Sequence, residues 1–121
     1  MNMDITFYDS HGKPTAYTKD GEHIYLFSGK PVAYIDDSSV FAYNGKHLGR
    51  FEDGWIRDNQ GNCVFFTKGA SGGPMKPMKG MKPMKGMKGM KPMKGMKQLK
   101  PMRPMHSLSW SEYSGVHFFE S

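Results

Sequence analysis

Four glycines recur along the first 68 residues at intervals of 17, 16 and 16 residues. They lie in four related segments, FYDSHGKPTAYT, IYLFSGKPVAYI, VFAYNGKHLGRF and IRDNQGNCVFFT, where they are Gly12, Gly29, Gly45 and Gly61. Such a regular period indicates one supersecondary unit repeated along the chain. In each copy, a residue that tolerates positive φ precedes the glycine between two β-prone runs. This pattern predicts a β-hairpin with a two-residue type I′ turn.

The hairpins are expected to pair large residues with small ones near a shared axis. In a two-residue turn, the residue five positions before the glycine lies opposite the residue four positions after it. By the same geometry, the residue four positions before the glycine lies opposite the residue three positions after it. The first rule pairs Phe7, Ile24, Val40 and Ile56 with Ala16, Ala33, Gly49 and Phe65, and the second pairs Tyr8, Tyr25, Phe41 and Arg57 with Thr15, Val32, Leu48 and Val64. The fourth copy also carries Asp58 and Asn59, so we expect it to be the most exposed.

These patterns predict an all-β fold for residues 1–70. One hairpin is not stable alone, so we expect four tandem β-hairpins to bury a common core in a shallow, pseudo-fourfold symmetric barrel. The pairs Asp20-Gly21, Asp36-Asp37 and Asp53-Gly54 supply turn chemistry between the copies.

The tail, residues 71–105, contains the run MKPMKGMKPMKGMKGMKPMKGMK, which has a period of three. Its prolines exclude an α-helix and a central strand, so the tail is expected to be extended or disordered. Polyproline II has three residues per turn and would place methionine, lysine and proline or glycine on three separate edges. Residues 75–105 carry nine lysines, Arg103 and no acid, a charge of +10, whereas the whole chain carries +6.

A cationic edge beside a thioether edge suits a surface that is both anionic and apolar, such as a membrane interface. The candidate binding residues are Lys76, Lys79, Lys82, Lys85, Lys88, Lys91, Lys94, Lys97, Lys100 and Arg103. One alternative is a passive, solvated spacer in a structural or scaffolding protein. Sequence-independent nucleic-acid binding is another, but it is less favoured because residues 67–109 contain no aromatic side chain to stack on bases. Copper(I) binding by the methionines is disfavoured by the ammonium group beside each thioether.

The last segment, residues 106–121, is again rich in apolar and aromatic residues. We expect it to dock on the β domain as a strap or plug, because exposed apolar clusters are normally covered. Its candidate docking residues are Trp110, Phe118 and Phe119. The alternative is an aromatic anchor for a membrane interface or a partner, and the same residues could drive self-association.

Four tandem hairpins with the SGKPVAY and YNGKHLG cores, the FEDGWIRD stretch, a Lys/Pro-periodic tail and SLSWS resemble the family called the 4-fold β-flower. The resemblance covers nearly the whole chain. It implies a bacterial protein with a shallow barrel, hairpin petals and an apolar central channel. The family is similar in general architecture to the Tubby C-terminal domain, which implies contact with membrane lipids by analogy alone. We therefore expect a non-enzymatic module that binds lipid or another anionic surface through the basic tail and the apolar channel. The resemblance implies no catalytic or ligand residues.

Nothing in the sequence predicts an enzyme, a metal site or a cofactor. The five histidines lack zinc-site spacing, and no nucleophile elbow, paired-carboxylate pattern or phosphate-binding glycine loop is present. Cys63 lies in a predicted strand and is expected to be a small buried hydrophobe. The chain has one cysteine, no leader-like N-terminus and no apolar run of about 20 residues. We therefore expect a cytoplasmic protein without a transmembrane segment, for which peripheral membrane association stays open.

Overall fold

A computed structural model describes residues 4–113 and 115–120. Its strands form a closed antiparallel barrel in which each strand pairs with the next and the last returns to the first. They are β1 (Ile5–Tyr8), β2 (Pro14–Thr18), β3 (His23–Leu26), β4 (Pro31–Asp36), β5 (Ser39–Phe41), β6 (His47–Glu52), β7 (Trp55–Asp58) and β8 (Cys63–Phe66), and a short helix, α1 (His117–Glu120), follows. The all-β barrel predicted from the repeats is confirmed. Because the strands alternate in direction, the four glycine turns lie at one end of the barrel, called the turn end below.

The inner column of the barrel has the predicted register. The pairs Phe7 with Ala16, Ile24 with Ala33, Val40 with Gly49 and Ile56 with Phe65 are all observed. Every non-glycine member of this column is fully buried. Large residues therefore meet small ones in three hairpins, and the fourth contributes the ring of Phe65 to the core.

The prediction of two-residue type I′ turns is wrong. In the first hairpin, Asp9 N–H donates to the Lys13 carbonyl and Gly12 N–H donates to the Asp9 carbonyl, so the loop has three residues. The same pair of hydrogen bonds recurs in the other three hairpins. Gly12 has a φ of 80°, while His11 before it is absent from the positive-φ residues of the described chain. This is the three-residue loop in which a type I turn is followed by a left-handed glycine.

The extra loop residue shifts the second column by one position. Each hairpin has a β-bulge, and Tyr8, Tyr25, Phe41 and Arg57 pair with Pro14, Pro31, His47 and Cys63 instead of the predicted partners. Type I′ dihedrals occur at the opposite end of the barrel. There, both central residues have positive φ in the connections Asp37-Ser38 and Asp53-Gly54.

An outer layer of stacked rings joins neighbouring hairpins. The ring centroids are 5.3 Å apart for Tyr8 and Phe66, 5.9 Å for Tyr17 and Tyr25, and 5.7 Å for Tyr34 and Phe41. At the remaining interface, between β6 and β7, Arg50 lies opposite Arg57. Three interfaces therefore carry an aromatic pair, whereas the fourth carries two cations.

The expectation that the fourth hairpin is the most exposed is wrong. Arg57 and Asp58 are each only 4% exposed, because the C-terminal segment crosses this hairpin. Cys63 N–H donates to the Ser109 carbonyl at 2.9 Å, and Ser111 N–H donates to the Cys63 carbonyl at 2.8 Å. The polar residues of this petal are thus partners of a segment about 50 residues further along the chain.

Helix α1 fills the middle of the barrel. Phe118 is fully buried and Phe119 is 7% exposed, and both belong to the cluster that contains the inner column. The ring of Phe65 stacks on Phe119 at 5.5 Å and meets Phe118 edge-on at 5.9 Å. The apolar channel implied by the family resemblance is therefore occupied by this chain's own side chains.

Candidate functional site

The basic tail crosses the four hairpin turns in succession. Residues 75–107, called the belt below, form neither helix nor strand. The belt contacts the turns through backbone hydrogen bonds to the carbonyls of the four turn glycines. The donors are Gly80 for Gly12, Gly89 for Gly29 and Gln98 for Gly45, each at 2.8 Å, and Ser107 for Gly61 at 3.1 Å. The belt thus surrounds the turn end of the barrel.

The four donor positions are nine residues apart, and so are the prolines at 74, 83, 92 and 101. The belt consists of nonapeptides, MKPMKGMKP, MKGMKGMKP and MKGMKQLKP, followed by MRPMHS. One nonapeptide serves one hairpin, and nine extended residues span about 28 Å at about 3.1 Å per residue. The period of three that dominates the sequence conceals this period of nine, whose signals are the prolines and the Gly80, Gly89, Gln98 series.

Glycine is required where the belt passes each turn. A Cβ atom on Gly12, Gly29, Gly45 or Gly61 would lie 1.9–2.0 Å from the carbonyl oxygen of Met78, Met87, Met96 or Met105 respectively. No side chain fits within that distance, so backbone lies on backbone at all four crossings.

Glycines within the belt make a second contact with two of the turns. Gly86 N–H donates to the Phe27 carbonyl, and Gly95 N–H donates to the Tyr43 carbonyl, both at 2.7 Å. The corresponding positions at the first and last turns are Pro77 and Pro104, which have no N–H to donate. The alternation of glycine and proline therefore distinguishes the two middle crossings from the two outer ones.

Lysines of the belt lie over the outer aromatic pairs. The Nζ atoms of Lys85 and Lys88 are 4.6 and 5.0 Å from the ring centroids of Tyr17 and Tyr25. One nonapeptide later, Lys94 and Lys97 cover Tyr34 and Phe41 at 4.3 and 5.7 Å. Such cation–π contacts contribute about 0.5–1 kcal/mol each at exposed sites.

At the interface between β6 and β7, the cations come from the barrel and not from the belt. Arg50 Nη2 donates to the Pro101 carbonyl at 2.7 Å, and Arg57 Nη1 donates to the carbonyls of Gly61 and Ser107 at 2.7 and 2.6 Å. The two arginines that interrupt the aromatic layer thus bind the belt and the turn it crosses.

Five of the candidate cations form ion pairs with acids of the barrel. The pairs are Lys85 with Asp4, Lys94 with Glu22, Lys97 with Asp36, Lys100 with Asp37 and Arg103 with Glu52. All ten partners are partly or largely exposed, so each pair contributes only about 0–1 kcal/mol. The mildly acidic barrel and the basic belt are therefore complementary along the perimeter.

The remaining cations are used differently. Lys76 Nζ donates to the Ala70 carbonyl at 2.8 Å, and Lys88 has the ring contact given above. Among the residues that the structure describes, Lys79, Lys82 and Lys91 have neither an ion pair nor a ring partner.

The apolar side chains of the belt face solvent and together form a methionine ring. Its members are 91–95% exposed and are Met75, Met78, Met81, Met84, Met87, Met90, Met93, Met96, Leu99, Met102 and Met105. Soluble proteins rarely expose so many large apolar side chains next to one another. The methionine ring is the most conspicuous surface feature of the described chain.

The C-terminal candidates lie against the barrel. Trp110 is half-buried, with its ring 5.7 Å from Trp55 and 6.2 Å from Phe66. Phe118 and Phe119 fill the channel, as described above. Phe118 and Phe119 are therefore buried in the barrel, and Trp110 is partly covered by it.

The cysteine and the potential metal ligands of the described chain form no site of their own. Cys63 is fully buried, and burial raises the pKa of its thiol to about 11. In the part of the chain that the structure describes, no three histidine, cysteine, aspartate or glutamate side chains are placed to hold a metal ion. No helix there is long and apolar enough to cross a bilayer.

Acid should weaken the contact between the belt and the barrel. Partial burial acts to raise the pKa of Glu52, but hydrogen bonds and charges from Arg103 and His106 outweigh it and lower this pKa from 4.5. A lowered folded-state pKa adds stability that is complete above pH 4.5 and is lost as the pH falls through the folded-state value. We expect Glu52→Gln to have a lower urea midpoint than the native chain at pH 7, and the two midpoints to converge as the pH falls below 4.5 and through the lowered folded-state pKa of Glu52. A constant gap would mean that Glu52 acts through packing and not through its charge.

A comparison with protein families matches residues 5–119 to the family of 4-fold beta flower proteins. A search of curated proteins finds no match, and neither does a search of solved structures. The family match extends from the first strand through the belt to helix α1, and it agrees with four hairpins closed into one barrel. This chain belongs to the 4-fold beta flower family.

Proposed function

We propose that this protein is a non-enzymatic binding module that attaches to an anionic lipid surface through its belt. The proposal rests chiefly on the methionine ring, whose 11 side chains are more than nine-tenths exposed and alternate with cations. The belt passes all four hairpin turns, so its exposed methionines are distributed around the barrel.

Two forces would act together at such a surface. Methionine is flexible, and its full burial contributes about 1.5–3 kcal/mol, so a few inserted side chains provide measurable affinity. Each lysine near an anionic bilayer adds about 1 kcal/mol, and this contribution decreases with salt. Lys79, Lys82 and Lys91 supply this attraction most directly, because none of them forms an ion pair with an acid of the described chain.

The channel takes no part in this proposal, although the family resemblance led us to expect it to contribute to binding. Phe118 and Phe119 occupy it, and a lipid chain could enter only if α1 were displaced. The belt alone supplies both the charge and the apolar surface.

Liposome co-sedimentation of the whole protein tests the electrostatic part. We expect binding to anionic vesicles, little binding to neutral ones, and weaker binding at high salt. Replacing Lys79, Lys82 and Lys91 with glutamine removes about 3 kcal/mol at about 1 kcal/mol per lysine, which weakens binding about a hundredfold. The matched control replaces the same three lysines with arginine, which keeps the charge and should retain most of the affinity. Equal binding by both variants would contradict the proposal.

The apolar part has its own pair of variants. Serine at Met84, Met93 and Met102 removes three members of the methionine ring without touching a lysine, and should reduce binding at high salt more than at low salt. Leucine at the same positions keeps the apolar surface and should bind normally. If serine and leucine variants bind alike, the ring does not enter the bilayer.

A structural role is the second candidate, and the nine-residue register favours it. A belt hydrogen-bonded to four turns can stabilise the barrel without any external partner, in a protein that scaffolds others. In that case the lysine and methionine variants would change stability, or nothing at all, and vesicle binding would be absent. Sequence-independent nucleic-acid binding by the belt is a weaker alternative, because the belt has no aromatic side chain to stack on bases. The rings that its lysines cover belong to the barrel.

A further inference from the structure

The barrel is closed least completely between β1 and β8. These strands share a single register pair, Tyr8 with Phe66, while each of the other seven interfaces has three or four. After Phe66 the chain turns away, and Thr67 N–H donates to the Gly54 carbonyl. The edge of β1 at Ile5 and Thr6 is therefore left without a ladder partner from β8.

A cavity of about 280 Å³ lies at this gap and is called the seam groove below. Three lysines line it, Lys68 from the segment after β8 and Lys79 and Lys82 from the belt, together with the residues Thr6 and Thr67 and one acid, Asp4. The volume is close to the lower end for small-molecule pockets, about 300 Å³. The groove can therefore hold a compact ligand and not a long one.

Lys79 differs from the lysines at the corresponding positions of the next two nonapeptides. Lys88 and Lys97, one and two nonapeptides after Lys79, lie over Tyr25 and Phe41. Lys79 is the corresponding residue at the seam, yet it has no ring contact or ion pair among the described residues. The belt therefore supplies a cation here that its own barrel does not use.

The acid in the groove does not cancel this charge. Asp4 lies 4.0 Å from Lys85, which belongs to the next part of the belt. Lys68 and Lys82 also lack ion pairs within the described chain, so three ammonium groups face at most one shared carboxylate. Three cations around one small cavity have the chemistry to bind a dianion, since charge-assisted hydrogen bonds are the strong ones.

We propose that the seam groove binds a phosphate monoester, with Lys68, Lys79 and Lys82 contacting the phosphate oxygens and the hydroxyl of Thr6 contacting the ester. The Thr6 hydroxyl makes no hydrogen bond to another described residue, so it is available to the ligand. Both a phosphatidic acid headgroup and a soluble ester such as glycerol 3-phosphate have this chemistry. For a lipid-borne phosphate the inference rests on the proposed function, whereas for a soluble ester it stands independently.

An NMR titration of the whole protein with glycerol 3-phosphate tests the site itself. We expect saturable shifts at Thr6, Thr67 and Lys68, and binding at least about tenfold weaker in the double variant K68Q/K82Q. The matched control is K30Q/K46Q, which removes the same charge at two exposed positions outside both the groove and the belt. The control should bind normally. Shifts spread along the whole belt, or equal losses in both variants, would overturn the proposal.

Vesicles separate the two sources of the phosphate. Preferential binding to phosphatidic acid over phosphatidylglycerol at equal surface charge, lost in K68Q/K82Q and kept in K30Q/K46Q, assigns the groove to a lipid headgroup. Saturable binding of glycerol 3-phosphate without vesicle binding assigns it to a soluble ester and contradicts the membrane proposal alone. Salt-sensitive vesicle binding without headgroup preference, and without soluble-ester binding, removes the seam groove and leaves the membrane proposal intact.

Discussion

Alanine in place of Gly29 is expected to destabilise the protein by about 3 kcal/mol and to release the belt from the second turn. Gly29 has a φ of +100°, where an L side chain costs about 1–2 kcal/mol. Its Cβ would also lie 1.9 Å from the Met87 carbonyl oxygen, so the belt must move away. Movement breaks the hydrogen bonds from Gly86 and Gly89, each contributing about 0.5–1.5 kcal/mol.

Gly72 provides the matched control, because it has a φ of +79° and open space where a Cβ would lie. Gly72→Ala therefore carries the conformational strain without the collision. Urea unfolding should show the larger loss for Gly29→Ala, and trypsin should cleave its belt faster near Lys88. Equal stability and equal cleavage in the two variants would show that the belt is not held at this turn.

The same glycine illustrates what the sequence could predict. The spacing of four glycines was enough to place the hairpins and to pair the inner column correctly, from Phe7 with Ala16 to Ile56 with Phe65. That register follows from a two-residue turn, and it still holds because the β-bulge in each hairpin offsets the extra loop residue before the inner column is reached. The second column could not be placed in the same way, because Asn-Gly and Ser-Gly fit a two-residue turn as well as a three-residue loop. The extra residue in the loop becomes a bulge, which moves Tyr8 from Thr15 to Pro14.

Contacts between distant segments account for the other differences. Arg57 and Asp58 are residue types that usually face solvent. They are buried because the segment with Ser107, Ser109 and Ser111 lies across the fourth hairpin. The contacts between the belt and the turns could not be predicted either. The period of three in the belt sequence conceals the period of nine that relates it to the turns. Gln98 replaces glycine as the donor to the third turn. This role can be recognised only when the positions of the turns are known.

Alanine in place of Phe118 is expected to destabilise the protein by about 3–5 kcal/mol, the usual range for removing a phenylalanine ring from a packed core. The ring is fully buried and meets Phe65 and Phe119 edge-on. Its loss leaves a cavity in the middle of the barrel, because Phe7, Ile24 and Val40 belong to a closed ring of strands that cannot collapse inward. Val116, which is 41% exposed two residues earlier, is the control, and Val116→Ala should cost less than about 1 kcal/mol.

Stability alone does not separate a plug from an ordinary core residue, so a second measurement is needed. If α1 acts as a removable plug, Phe118→Ala should bind an apolar dye in a saturable 1:1 manner under conditions where it is still folded. The barrel strands hold one another through closed hydrogen-bond ladders, so the channel can persist after α1 has left. If the variant instead unfolds in one transition without dye binding, α1 is an integral part of the core. In that case the channel cannot serve as a binding site, and any lipid contact must be made by the belt and the seam groove.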